Sequence, residues 1–214
     1  RIGVAARYIP ERLGFHQPGL TGAYGAAMVA GRILGLDAQR MAHAIGIAGS
    51  LSSGLLAFTR SAQGAMVKRL HLGRASESGI LAARLAQAGY TGPETVLEGR
   101  FGFLDAYCSD TSGAPLLTAG LGSEWETARI SIKRYAAHMN AHSPVQALRT
   151  LMAEHRFDGG AVDAVVVEGS SVLASHHNIP EPPDITKAQY SVPFCVALAL
   201  YRDPEDPRSF DESA

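Results

Sequence analysis

Lysine is scarce in this 214-residue chain, with three lysines against sixteen arginines. The arginine bias is compositional and excludes nothing, but it makes each retained lysine informative. Arginine keeps its proton in proteins, whereas burial can tune a lysine to give or take one. Two of the three sit near histidines, Lys68 in Lys68-Arg69-Leu70-His71 and Lys133 in Lys133-Arg134-Tyr135-Ala136-Ala137-His138; Lys187 lies in a polar stretch and carries no such reading. Neither sign of charge is in excess. A net charge of −1 gives no reason to invoke nucleic acid or an anionic membrane. The two cysteines, Cys108 and Cys195, lack CxxC spacing, which fits reduced thiols in a cytoplasmic protein and leaves one disulfide open. Aromatics make up 7% while alanine and glycine abound, which favours closely packed helices. The GxSxG, Walker A, GxGxxG and HExxH signatures are absent, weakening the hydrolase, NTPase, dinucleotide and zinc-protease readings.

The N-terminus shows no signal-peptide layout. Arg1-Ile-Gly-Val-Ala-Ala-Arg7 reads as the interior or end of an amphipathic helix, and Phe210-Asp-Glu-Ser-Ala214 closes no element, so a piece of a longer chain is expected. The uncharged run from Met41 to Phe58 approaches the length of a membrane span. It also holds His43, three serines and three glycines, which fit a buried helix of a bundle better.

Apolar spacing predicts helices from about Gly19 to Leu34, from Ala38 behind an Asp37 cap, and from about Arg74 to Ala88 before Gly89. Past Trp125 the pattern changes. Ile130–Tyr135 and the valine-rich Ala161–Glu168 read as strands, Ser143-Pro144 as the start of a helix through Arg156, and Thr186-Lys-Ala-Gln189 as a capping box for a last helix. Pro193 requires that helix to kink or to begin nearer Ser191. The fold class expected is therefore α plus α/β: a helical-bundle domain over 1–127 and a small α/β domain over 128–214.

Histidine is better represented, with eight residues. His138 and His142 have helical metal-pair spacing, but they precede the predicted cap Ser143 with no acidic or cysteine ligand near, so no metal site is expected. His176 and His177 read as exposed loop residues, His43 and His155 as packing or surface residues. His16 lies in a glycine- and proline-bounded turn just before a helix, where N–H groups and the dipole favour an anion such as a carboxylate.

Six segments then form an ordered series. Gly14-Phe-His-Gln-Pro-Gly-Leu-Thr-Gly-Ala-Tyr-Gly-Ala-Ala27 is followed by Ala44-Ile-Gly-Ile-Ala-Gly-Ser50 and by Lys68-Arg-Leu-His-Leu-Gly-Arg-Ala75. Gly92-Pro93 with Leu97-Glu-Gly-Arg-Phe-Gly-Phe103, Lys133-Arg-Tyr135 with His142, and Ala188-Gln-Tyr-Ser-Val-Pro193 complete it. Together they resemble the 2-methylcitrate dehydratase / cis-aconitate decarboxylase family (MmgE/PrpD), over nearly the whole chain. The resemblance implies a helical domain and a smaller α/β lid, a homodimer, a small di- or tricarboxylate substrate, and no metal or organic cofactor. It also implies that about the first quarter of the family's chain, and its C-terminal return segment, lie outside this sequence. Two departures stand out: Ala136 replaces a proline, and His138 occupies a cysteine position, as in the decarboxylase branch. Gln17 also displaces Pro18 within the anion-binding turn.

The chemistry implied is dehydration or decarboxylation next to a carboxylate, which needs a base and cations to hold developing charge. The resemblance casts His16 and His138 as the acid–base pair and Lys68 and Lys133 as catalytic cations. His71, Arg74, Tyr135 and His142 would bind substrate. Two alternatives remain open, an isomerase or epimerase of the same family and a truncated, non-catalytic dimerising protein.

Overall fold

The computed structural model describes residues 1–61, 65–171 and 173–211. The chain divides into two compact units, Arg1–Phe58 with Met66–Arg129, and Thr59–Ala65 with Ile130–Ala214.

The first unit is helical: α1 (Ile2–Ala5), α2 (Ile9–Arg12), α3 (Gln17–Ile33), α4 (Ala38–Leu51), α5 (Val67–Gln87) and α6 (Phe103–Cys108). Pro18 sits in the first turn of α3, where its missing N–H costs nothing, and the Asp37 carboxylate caps α4 by accepting from the Arg40 amide at 2.8 Å. The long uncharged run is therefore broken after Leu51, and no helix among the described residues is long and apolar enough to cross a membrane. Helix α5 starts seven residues before the expected Arg74. Its opening is hidden in the sequence because Met66 provides no side-chain cap and the exposed Leu70 and Leu72 break the apolar rhythm.

Leu20, Ala23, Tyr24 and Ala27 of α3 pack into one core with Ala44, Ile47, Ala82, Phe103 and Leu104. Small residues let α3 and α5 approach closely. A Cβ on Gly79 would stand 2.5 Å from the Ala23 carbonyl oxygen and from Ala26 Cβ, so a methyl group there must push the helices apart. Gly22 meets Ala75 in the same seam, one turn from His71.

The second unit holds α7 (Met139–His155), α8 (Ile185–Ala188) and α9 (Val192–Tyr201). Its core joins Tyr135, Ala141, Val145 and Leu148 to Val192, Cys195, Val196, Ala199 and Phe210. The expected α/β lid is corrected here, because this unit forms no strand among its described residues. Residues 162–168 are irregular, with Val166 84% exposed, and Ile132 is 92% exposed. A strand exists through hydrogen bonds to a neighbour, and no described segment offers one. Open grooves of about 550 Å³ flank the valine run, one against α7 and one against α9, and neither includes a candidate site residue.

Helix α7 begins at Met139 behind a His138 cap, so Ser143 is not its cap and Pro144 lies inside it. Burial of Ala141, Val145 and Leu148 in the core holds the helix through the hydrogen bond that Pro144 cannot make. The capping-box reading at Thr186 gives way to two caps. Asp184 accepts from the Lys187 amide to start α8, and Ser191 accepts from the Phe194 amide to start α9, with Pro193 in its first turn.

Candidate functional site

His16 is held by an antiparallel bridge between two loops. Its backbone N–H donates to the Gly54 carbonyl at 3.1 Å, and the Leu56 N–H donates to the Gly14 carbonyl at 2.8 Å. Gly54 has φ 152°, and a Cβ there would lie 3.3 Å from the His16 carbonyl oxygen and 3.5 Å from His71 Nδ1, which favours glycine beside the two rings. His16 is the N-cap of α3 but makes no side-chain capping bond. Its Nδ1 instead lies 2.9 Å from Nδ1 of His71 on α5, as a hydrogen bond. The displaced Gln17 is buried and donates to the Gly3 carbonyl.

The buried ring of Phe58 meets both imidazoles edge-on, at 5.4 Å from His16 and 6.0 Å from His71. Burial lowers the His16 pKa to about 4, with further lowering from His71 and from the Lys68 ammonium one turn earlier on α5. Burial also holds His71 below the usual histidine range. Near neutral pH this is a pair of uncharged, hydrogen-bonded imidazoles beside a cation. Arg74 is outside it: half-exposed, it pairs with Glu77 at 2.7 Å.

The second unit gathers a different group. His138 caps α7, its Nδ1 accepting from the Asn140 amide at 3.3 Å while its backbone N–H donates to the Gln189 carbonyl at 2.7 Å. Its ring stacks on His177 at 4.4 Å and 24°, and Tyr190 lies 4.5 Å from the first and 4.4 Å from the second. His177 is 2% exposed, and its Nδ1 is 3.2 Å from the Tyr190 carbonyl oxygen, to which it must donate. The expectation of a solvent-exposed loop histidine is thus corrected. The reading that set Lys187 aside as a polar-stretch lysine is corrected too: it is 5% exposed, its Nζ donates to the Thr59 carbonyl at 3.0 Å, and burial lowers its pKa against the opposing effect of Asp184.

Lys133, by contrast, is exposed. Tyr135 is buried and its hydroxyl donates to Gln146 Oε1 at 2.7 Å. His142 lies 5.2 Å from the Tyr135 ring, with a buried Nε2 that lacks a hydrogen-bond partner. His142 is in α7 after all, and no group of three or more metal-ligating side chains occurs among the described residues. The sequence missed His177 and Tyr190 because only folding stacks them on His138.

Residues 1–114 match the MmgE/PrpD N-terminal domain, and residues 135–214 match the MmgE/PrpD C-terminal domain. A cis-aconitate decarboxylase of Aspergillus terreus is 35% identical over 202 residues, which is 87% of this chain and 40% of that protein. The cis-aconitate decarboxylase-like protein oryM of Aspergillus oryzae is 32% identical over 171 residues, 76% of this chain and 34% of its own length. A human cis-aconitate decarboxylase is 31% identical over 137 residues, covering 64% of this chain and 27% of that protein. The chain spans at most about two fifths of the relatives it matches.

Proposed function

Because the chain belongs to the MmgE/PrpD family, we propose that its polypeptide is a lyase acting on a small di- or tricarboxylate, with decarboxylation of cis-aconitate the first reaction to test. The observation that carries this reading is the hydrogen-bonded pair of buried His16 and half-buried His71 beside Lys68. Loss of CO2, or of the carbon-bound proton that lets hydroxide depart, leaves an electron pair that must be delocalised, and a proton must reach or leave carbon. Uncharged imidazoles can exchange that proton at neutral pH, and the Lys68 ammonium can hold carboxylate charge. Side chains alone suffice for this chemistry. In the second unit we assign His138 to acid–base work, Lys133 to carboxylate binding and catalysis, and Tyr135 and His142 to shaping that region.

The test is incubation of the full polypeptide with cis-aconitate, citrate and 2-methylcitrate in deuterated water, followed by proton NMR. Loss of CO2 with one deuterium placed on carbon, or loss of water to give the alkene, supports the lyase. Deuterium exchange without loss of CO2 or water would mean an isomerase instead. If no substrate changes and none exchanges, catalysis on this substrate class is rejected.

A further inference from the structure

We propose that His16 and His71 form one neutral proton relay, in which His71 acts through His16 to return the proton that His16 exchanges with carbon; this rests on the carboxylate-lyase reading above. The two Nδ1 atoms lie 2.9 Å apart. A hydrogen bond between two like nitrogens needs a proton on one and a lone pair on the other. Two neutral rings joined in this way must therefore be opposite tautomers. One presents a bare Nε2 and the other an Nε2–H, so a base and an acid are present together without either ring carrying charge.

The surroundings favour that neutral state. His16 is 8% exposed, and the apolar Phe58 ring lies against both imidazoles. Among the described residues, the charged or titratable groups acting on His16 are Lys68 and His71, both on α5. A positive charge lodged on His16 would be poorly solvated and repelled by Lys68. The relay avoids it.

His16 Nε2 takes a proton from a substrate carbon, whose electron pair moves toward the neighbouring carboxylate. The proton on His16 Nδ1 crosses to His71 Nδ1, and His71 Nε2 releases its own proton to water or to the leaving group. Both rings end neutral with exchanged tautomers, and the reverse sequence delivers a proton to carbon.

The test uses the full polypeptide labelled with 15N-histidine. Two-bond proton–nitrogen correlations at pH 7 should show one of the two rings as the Nδ1–H tautomer and the other as the Nε2–H tautomer. Identical tautomers, or an imidazolium on either ring, would overturn the relay. His71→Asn retains a hydrogen-bonding group for His16 but has no second ring nitrogen. It should lower kcat by about two orders of magnitude and change KM little, with the melting temperature checked separately. Wild-type kcat in a folded His71→Asn protein sinks the relay and leaves the lyase reading intact. Opposite tautomers in a protein that turns over no carboxylate sink the lyase reading, and the relay falls with it for want of a substrate.

Discussion

The two units each gather histidines, and they do so by different physics. In the first, His16 and His71 meet through a hydrogen bond between ring nitrogens. In the second, His138 and His177 stack face to face against Tyr190, and their Nδ1 atoms bond to the Asn140 amide and the Tyr190 carbonyl. The bonded pair couples two protonation states, because each ring's tautomer fixes the other's. The stack fixes ring position, and its Nδ1 tautomers are set by an amide donor and a carbonyl acceptor. Proximity of imidazoles is therefore not a function in itself; what each Nδ1 bonds to decides what the ring can do.

The sharpest way to break this contrast is kinetic. In the full polypeptide, His16→Gln should cut kcat/KM for carboxylate turnover by about two to four orders of magnitude, whereas His177→Phe, which keeps an aromatic ring in the stack, should cost less than about tenfold. A larger loss from His177→Phe would make the His138 stack, and not the His16–His71 pair, the dominant acid–base group.

Next in size is a pH effect on stability. The folded chain holds His16 at about 4 rather than 6.5, so between those values the unfolded chain takes up a proton that the folded chain excludes. Stability then rises with pH through this window and is lost as pH falls from 6.5 to 4, by at most about 3 kcal/mol. Urea denaturation of wild type and His16→Gln at pH 7 and pH 4.5 should show the wild type losing more. Equal losses would remove His16 as the cause.

Two glycines of α5 separate packing from helix propensity. Gly79→Ala must force α3 from α5 and should destabilise by about 1–3 kcal/mol. A Cβ on Gly73 meets nothing within 4 Å, so Gly73→Ala should stabilise by roughly 0.5–1 kcal/mol. Thermal melts of both variants test this, and a neutral Gly79→Ala would show that the seam yields easily. The smallest effect concerns lysine. Lys187→Ala removes the ammonium donor to the Thr59 carbonyl and should cost about 1 kcal/mol of stability with kcat unchanged, while Lys133→Ala should change stability by less than about 0.5 kcal/mol and reduce turnover. Unchanged turnover in Lys133→Ala would remove it from the proposed chemistry.

Much of the helical framework was legible in the sequence. Asp37 announced α4, the small residues of α3 announced a close neighbour, and Pro193 limited where α9 could begin. These signals are local, arising from caps, turn residues and period. Both residues of the first-unit pair stood out, His16 beside a glycine-bounded turn and His71 beside Lys68. Their hydrogen bond did not, because it joins residues 55 positions apart. The valine run from Val162 to Val167 misled because β-propensity describes a residue suited to a sheet, while pairing depends on a partner segment elsewhere. His177 misled for the opposite reason: a polar loop sequence does not reveal that folding buries it under a neighbouring ring.

The sequence alone determined the family, through six ordered segments now matched over residues 1–114 and 135–214, and it determined most of the helices, since capping and periodicity act over a few residues. Tertiary structure decided which polar groups lost water and which they met. That selected Lys187 over Lys133 for burial, joined His16 to His71, and stacked His177 on His138. The physical reason is that desolvation and ring-to-ring contact depend on distance through space, which order along the chain does not fix.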